Sequence, residues 1–173
     1  MRSHHVSQVI AAPPDAVYEY ASNLDNLPKW AAGLARAEIT RDGDVLLVES
    51  PMGRVEVRFV EQNRFGVLDH DVTLPSGTVV TNPVRVLSHP EGAEVVFTVR
   101  QIELDDDEFT RDIEMVAADL QRLGSQVTEV HARTEQLEVA RDARELRDAK
   151  AADDGNRVSL AELRAELDGS NGS

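Results

Sequence analysis

The most constraining feature of this sequence is a change in the spacing of its apolar residues near Glu103. Before this point apolar and polar residues alternate: Val55, Val57 and Phe59 are separated by charged residues. A period of two is typical of strands with one covered face and one wet face. Beyond Glu103, apolar residues recur every third or fourth position, which is the spacing of a helix. The sequence therefore predicts an antiparallel sheet whose apolar face is covered by one long helix.

Turn-forming residues divide the first part of the chain into seven predicted strands. Glycine or proline recurs about every 10–13 residues, for example at Asp42-Gly43 and Pro90-Glu91-Gly92, as expected of an antiparallel meander. The predicted strands cover residues 4–12, 36–41, 45–50, 54–62, 67–74, 79–88 and 94–103. Two short helices are predicted after the first strand, because Pro13 and Pro14 end it and Pro28 suits a first helical turn.

The predicted covering helix begins after the acidic run 105–108, whose carboxylates complement the positive end of a helix dipole. Its apolar stripe consists of Phe109, Ile113, Val116, Leu120 and Leu123. Gly124 leaves open whether the helix ends there or continues. We expect one domain over residues 1–125 and a charged helical extension over residues 126–173. Within the extension, a short helix is predicted at 159–167 and disorder from Gly169 onward.

The charge of the chain restricts the partners it can have. The formal net charge is −14 and the pI is about 4.7, so the sequence offers no stripe that would neutralise phosphates. We therefore expect no nucleic acid partner and no attraction to anionic membranes. The chain has no cysteine, which rules out disulfides and thiolate metal sites. No apolar stretch suggests a membrane span or signal peptide, so we expect no membrane insertion and a cytoplasmic location.

Three segments resemble a known family. They are Val9–Ala12 followed by PPDAVYEYASNLDNLPKWA, the hairpin PSGTVVTNPVRVLSHPEGAEVVFTV, and the helix opening DDDEFTRDIEMVAADLQRL. Residues 3 to about 125 resemble the START-like superfamily, and within it the bacterial branch of polyketide cyclase/dehydrase or SRPBCC proteins. The resemblance implies an α+β helix-grip fold, in which a curved antiparallel sheet of about seven strands wraps a long helix. It also implies an apolar cavity between sheet and helix, but no particular reaction.

Trp30 and His70 are two candidate cavity residues. Trp30 is the only tryptophan and lies on the second short helix, either at the mouth of the cavity or as a half-buried packing residue. His70 alternates with Asp69 and Asp71 and shares the face of Leu68. If that face points inward, the imidazole can act as a base or bind a ligand. The alternative is a histidine in water near a sheet edge.

Asn82 is a third candidate, because an inward amide would orient a ligand carbonyl or hydroxyl. Pro83 follows it and indicates a bulge or an edge, and Arg85 is expected to pair with a surface carboxylate. The other predicted ligand-binding residues are apolar positions on inward faces: Val57, Phe59, Leu68, Val72, Phe97, Phe109, Ile113 and Val116. We expect no metal and no cofactor, because His4 and His5 are adjacent and no calcium-loop or nucleotide motif is present.

Three functions remain open at this stage. The first is binding or carrying a small hydrophobic molecule, such as a lipid, polyketide or aromatic compound. The second is a cyclase or dehydratase that uses His70 for aldol closure or loss of water. The third is a protein that binds a partner, or itself, through residues 126–167, whose VSLAELRAEL segment resembles the ends of some bacterial antitoxins.

Overall fold

A computed structural model of the chain describes residues 2–31, 38–43, 45–50, 53–153 and 155. The predicted helix at 159–167, the predicted disorder after it and the start of the predicted strand 36–41 lie outside these residues. The described helices are α1 (Pro14–Ser22), a 3-10 helix (Leu24–Asn26), α2 (Leu27–Trp30) and α3 (Asp106–Ala152). The strands are β1 (Ser3–Ile10), β2 (Glu38–Asp42), β3 (Val45–Ser50), β4 (Gly53–Phe59), β5 (His70–Thr73), β6 (Val79–Asn82), β7 (Val84–His89) and β8 (Gly92–Arg100).

The strands form two antiparallel sheets, which confirms the predicted fold class. One sheet has the order β2-β3-β4-β5-β6 and the other has the order β1-β8-β7. The described residues contain eight strands instead of about seven, because the segment predicted as one strand at 79–88 is divided at Pro83. Proline has no N–H to donate to a sheet ladder, so the division has a direct chemical cause.

The two sheets meet at the corner that Pro83 creates. β6 pairs with β5, and β7 pairs with β8. Before β5, the chain still follows β7 in the same antiparallel register, since the N–H of Leu68 bonds to the carbonyl of Val84 at 3.0 Å. The carboxylate of Asp69 accepts a hydrogen bond from the Val84 N–H at 2.9 Å. A side chain thus satisfies the backbone where the ladder is interrupted.

Helix α3 begins with a capping box, in agreement with the role predicted for the acidic run. The N–H of Glu108 donates to Asp105 Oδ1 at 2.8 Å, and the N–H of Asp105 donates to Glu108 Oε2 at 2.9 Å. The helix continues through Gly124 to Ala152. Val127, which lies beyond the expected domain boundary at 125, is 2% exposed. The chain divides into two compact units, Met1–Arg133 and Thr134–Ser173, and residues 134–152 are exposed.

The interior of the first unit contains two apolar clusters. The first contains Ile10, Val17, Val84, Val95, Phe109, Val116, Leu120, Leu123 and Val127, among others. The second contains Leu27, Leu46, Val48, Val55 and Val57. Trp30 packs against both clusters. In the part of the chain that the structure describes, no helix combines the length and apolarity needed to cross a membrane.

Candidate functional site

A small enclosed cavity, called the interior cavity below, lies at the corner between the two sheets. Its lining consists of Ala21, Trp30, Phe59, Leu68, His70, Val84, Val95, Phe97, Leu120 and Leu123. Its volume is about 10 Å³, which is roughly the space that one water molecule needs. Any larger ligand must therefore displace side chains of the lining. The roomy interior that the resemblance implies is not present among the described residues.

Five of the residues predicted from the sequence line this cavity: Trp30, Phe59, Leu68, His70 and Phe97. Asn82 contacts His70 from beside it. The remaining predicted residues pack in the apolar clusters, with Val57 and Val72 in the second and Phe109, Ile113 and Val116 in the first.

The prediction omitted Ala21, Val84, Val95, Leu120 and Leu123 from the lining. Leu120 and Leu123 continue the helix stripe that was recognised, but the spacing does not say which turn of the helix meets the corner. Ala21 lies on α1 and gives no signal in the sequence.

His70 is held at the start of β5 by polar contacts on both ring nitrogens. Its Nδ1 lies 3.3 Å from the carbonyl oxygen of Leu68, and its Nε2 lies 3.4 Å from Nδ2 of Asn82. Because a carbonyl only accepts and an amide nitrogen only donates, Nδ1 carries the proton and Nε2 offers a lone pair.

Two aromatic rings pack against the imidazole of His70, with the ring centroid of Phe59 at 4.7 Å and that of Phe97 at 5.7 Å. Loss of hydration lowers the pKa of His70 below its ordinary value. The bond to Leu68 and the charges of Asp69 and Asp71 oppose this lowering but do not cancel it. The imidazole is therefore neutral at pH 7.

Trp30 ends helix α2, and its side chain lines the cavity. Its indole Nε1 is buried and has no hydrogen-bond partner among the residues that the structure describes. Its main-chain carbonyl accepts a hydrogen bond from Nε of Arg122 on α3 at 3.0 Å. Arg122 in turn forms an ion pair with Asp119 one turn earlier. The backbone of Trp30 is thus fixed to the long helix, while its indole donor is left without a partner.

Asp69 and Arg85 pair with each other at the corner between the sheets and do not line the cavity. Arg85 pairs with the carboxylate of Asp69, as expected for a strand arginine near an acidic residue. Burial raises the pKa of Asp69, but the hydrogen bonds from Arg85 and the Val84 N–H outweigh it, so the net pKa is lowered. Since this carboxylate is bonded to Arg85 and to the Val84 N–H, Asp69 does not form a dyad with His70.

A larger depression of about 600 Å³ lies between β1 and α3 and is open to solvent. It is lined by Gln8, Val9, Ile10, Ala11, Gln121, Gly124, Ser125, Thr128 and Glu129. None of the candidate residues lies in it. We therefore place the candidate site at the interior cavity, which is far smaller but is lined by the candidate residues Trp30 and His70 among apolar side chains.

Solved structures with the same fold are numerous but distant in sequence. XoxI from Bacillus cereus has a TM-score of 0.58 and 16% identity, covering 75% of this chain and 98% of that protein. TTHA0849 from Thermus thermophilus has a TM-score of 0.51 and 19% identity, covering 75% of this chain and 99% of that protein. Ara h 8.0201 has a TM-score of 0.55 and 11% identity, covering 74% of this chain and 98% of that protein. At these identities the likeness concerns the fold alone.

No curated protein matches the chain significantly. A family model described as "Polyketide cyclase / dehydrase and lipid transport" matches residues 1–128. The match includes every strand, both short helices and the part of α3 that contributes Leu120 and Leu123 to the cavity. The chain therefore belongs to the polyketide cyclase/dehydrase and lipid transport family.

Proposed function

We propose that this protein binds or carries a small hydrophobic ligand in the interior cavity. The observation that carries the proposal is that Trp30, whose buried indole Nε1 has no partner among the described residues, and the neutral His70 both line one small apolar cavity. Leaving a buried donor unpaired costs about 1–3 kcal/mol. A purely structural core gains nothing from that cost, whereas a ligand-binding site recovers it when a ligand accepts the hydrogen bond.

Binding in this site requires the lining to open. The cavity of about 10 Å³ is too small for a lipid or an aromatic ring. Helix α2 is the shortest helix on its border, with four residues. We propose that outward rotation of the Trp30 side chain makes room, because this side chain packs between the two apolar clusters while its main chain stays bonded to α3.

Trp30 also makes the proposal testable, because it is the only tryptophan in the chain and reports on the site alone. We expect saturable changes in its fluorescence and in its indole N–H resonance on titration with a panel of lipids, polyketides and aromatic compounds. Extraction of the purified protein followed by mass spectrometry should recover a bound molecule of the same kind.

The control moves the reporter away from the cavity, in the double variant Trp30→Phe/Leu137→Trp, because Leu137 is 65% exposed. The new tryptophan should give no saturable response. Absence of any response from Trp30 across the panel, together with no recovered molecule, would refute ligand binding.

A second candidate function is catalysis of the cyclase or dehydratase type. It is favoured by one observation: His70, a neutral base, and Trp30, which carries an indole donor, line one water-sized cavity. A neutral base can remove a proton from carbon while a donor stabilises the resulting oxyanion.

With a compound that the protein is found to convert, His70→Gln should lower kcat by roughly 100-fold or more and leave Kd within a few-fold. Recovery of every bound compound unchanged after long incubation would exclude this function and leave ligand binding standing.

A further inference from the structure

We propose that two copies of this chain associate through the outer edge of strand β1, so that their three-stranded sheets join into one. β1 (Ser3–Ile10) lies at the end of the sheet β1-β8-β7 and pairs only with β8 among the described strands. The other side of β1 is therefore a row of backbone donors and acceptors that no described strand uses. An edge of this kind is a template for the addition of a further strand.

The register between β1 and β8 identifies which residues of β1 point to the open side. The N–H of Gln101 donates to the carbonyl of Arg2 at 2.9 Å, one step beyond the opposed residues Ser3 and Arg100. In an antiparallel ladder, residues bonded to the neighbouring strand alternate with residues that point the other way. Counting from Arg2, the residues of β1 that direct their N–H and C=O groups away from β8 are Ser3, His5, Ser7 and Val9. All four are exposed.

Two observations indicate that this edge has no backbone partner in the described part of the chain. The carbonyl of Val9 accepts a hydrogen bond from the side-chain amide of Gln8 at 2.8 Å, where a neighbouring strand would otherwise donate. Beside this end of the edge lies the open depression of about 600 Å³, lined by residues of β1 and by Ala11 on one side and by α3 on the other. No described segment therefore covers the edge at this end.

β1 also lacks the residues that normally protect an exposed edge. Natural edge strands carry charged residues, prolines or bulges that prevent further pairing. Strand β2, at the outer end of the five-stranded sheet, follows this rule, since Glu38, Arg41 and Asp42 are three of its five residues. The eight residues of β1, SHHVSQVI, include no lysine, arginine, aspartate, glutamate or proline.

The occupant that fits this edge is a second β1, because the strand is complementary to itself. Two copies can pair antiparallel about Val6. In this register Ser3 lies opposite Val9 of the second copy. His5 lies opposite Ser7 of the second copy, so all four outward-pointing residues obtain partners and a two-fold axis closes the dimer. The net charge of −14 makes two chains repel each other, and the uncharged strand lets them approach without opposing carboxylates.

The first test is the oligomeric state of the full chain, measured by sedimentation and light scattering. We expect the mass to rise with concentration from 19.0 kDa towards twice this value. The dimer should have a Kd on the order of 10–100 µM, because a joined strand edge is a small interface.

Proline at position 7 separates the open edge from the fold. Ser7→Pro removes an outward N–H but no bond of the ladder with β8, so the chain should fold and the dimer should weaken by roughly tenfold or more. Ser7→Ala keeps the N–H and should dimerise like the unmodified chain. The double variant His5→Glu/Ser7→Glu keeps the backbone and opposes carboxylates across the joint, so it should stay monomeric. It decides the matter if Ser7→Pro does not fold.

Cysteine cross-linking tests the register, because the chain has no cysteine of its own. Position 6 lies on the two-fold axis, where opposed residues of a non-hydrogen-bonded pair have Cα atoms about 4.5 Å apart. Val6→Cys should therefore form a disulfide-linked dimer under mild oxidation. The two copies of position 3 lie about 20 Å apart, beyond the roughly 7 Å that a disulfide spans between Cα atoms. Ser3→Cys should therefore stay unlinked.

A chain that stays monomeric at about 500 µM, well above the expected Kd, would overturn the proposal. A dimer that persists in the glutamate variant, or that links as readily through Ser3→Cys as through Val6→Cys, would overturn the assignment to the β1 edge. Neither result bears on ligand binding, because β1 contributes no residue to the interior cavity.

Discussion

At the scale of single residues, the half-buried His70 combines apolar neighbours with a weakly bonded ring nitrogen. It is surrounded by Phe59, Phe97 and other apolar side chains, yet its Nε2 has only a long contact with Asn82. The same burial that keeps the ring neutral gives the fold a dependence on pH. The imidazole therefore links the stability of the domain to the chemistry of the cavity.

His70 should make the fold less stable in mild acid. Its pKa is lowered in the folded state, so the unfolded chain binds the proton more readily. The stability due to the neutral ring is present above the ordinary pKa of 6.5 and is lost as the pH falls from there towards the folded pKa. Urea unfolding between about pH 7.5 and about pH 5.5 should show a smaller loss of stability in His70→Phe than in the unmodified chain. His4→Phe, at an exposed position outside the cavity, should lose as much stability as the unmodified chain over this pH range. Equal losses of stability in all three proteins would contradict the prediction.

At the scale of secondary-structure elements, the corner between the sheets determines where the site is. Pro83 interrupts the strand, and Asp69 satisfies the N–H of Val84 at the break. On the neighbouring segment, Gly66 lies so close to β7 that its carbonyl bonds to the Val86 N–H at 2.8 Å. His70 and Asn82 are paired directly beyond this corner. The position of the polar cavity residues is thus a consequence of one interrupted strand.

Gly66 should be among the least replaceable glycines of the domain. Its φ is +68°, and a Cβ would lie 2.3 Å from the carbonyl oxygen of Val86. Gly43 has a similar φ of +59° but open space around the same position. Gly43→Ala should cost about 1–2 kcal/mol from backbone strain alone, and Gly66→Ala a further 1–3 kcal/mol or so from overpacking. Chemical denaturation of both variants gives the comparison, and equal losses would show that the close approach to β7 is unimportant.

Arg122 should control access to the cavity. Its bond to the Trp30 carbonyl connects α2 to α3, so Arg122→Ala should let α2 separate more often. We expect the indole of Trp30 to be quenched more strongly by acrylamide, and a bound ligand to dissociate roughly tenfold faster, as for loss of one charge-assisted hydrogen bond. Arg111→Ala, an exposed arginine on the same helix, is the control and should change neither rate. Unchanged quenching in Arg122→Ala would rule out this role.

The sequence predicted the elements far better than the space between them. Alternation and helical spacing were sufficient to predict the sheet and the long helix. They put His70 on the face of Leu68 but left open whether that face points inward. Pro83 was recognised as a disturbance, but its division of the strand depends on how two sheets meet. The position at which α3 crosses the sheet decides which of its residues meet the cavity. Leu120 and Leu123 do so, whereas Phe109 and Val116 do not. The cavity volume depends on side-chain rotamers in three dimensions, so it cannot be predicted from residue spacing.

At the scale of the whole molecule, the two compact units differ in how their residues are buried. Phe109, Val116, Leu120, Leu123 and Val127 of α3 are buried in the first unit. From Thr134 to Ala152 every residue is exposed, including Leu137, Val139 and Leu146. The stability of the domain is therefore expected to come from residues before Thr134.

A chain that ends after Arg133 should fold as stably as the full chain and bind ligands with the same affinity. The cut leaves Val127 in place, whereas a cut at residue 125 would remove this core residue, which is 2% exposed. Thermal unfolding and the Trp30 titration compare the three proteins. Only the chain that ends at residue 125 should be destabilised. A large loss of stability on cutting after Arg133 would show that the exposed part of α3 supports the domain.

The hydrogen bond between Arg122 and Trp30 holds α2 to α3 without involving the Trp30 side chain. Arg122 holds the main-chain oxygen at position 30, which every amino acid possesses, and does not touch the indole nitrogen. A relative of this protein can therefore carry a different ring at position 30 without losing this hydrogen bond. Under the proposed function, ligand preference can therefore change during evolution while the hydrogen bond between α2 and α3 is retained.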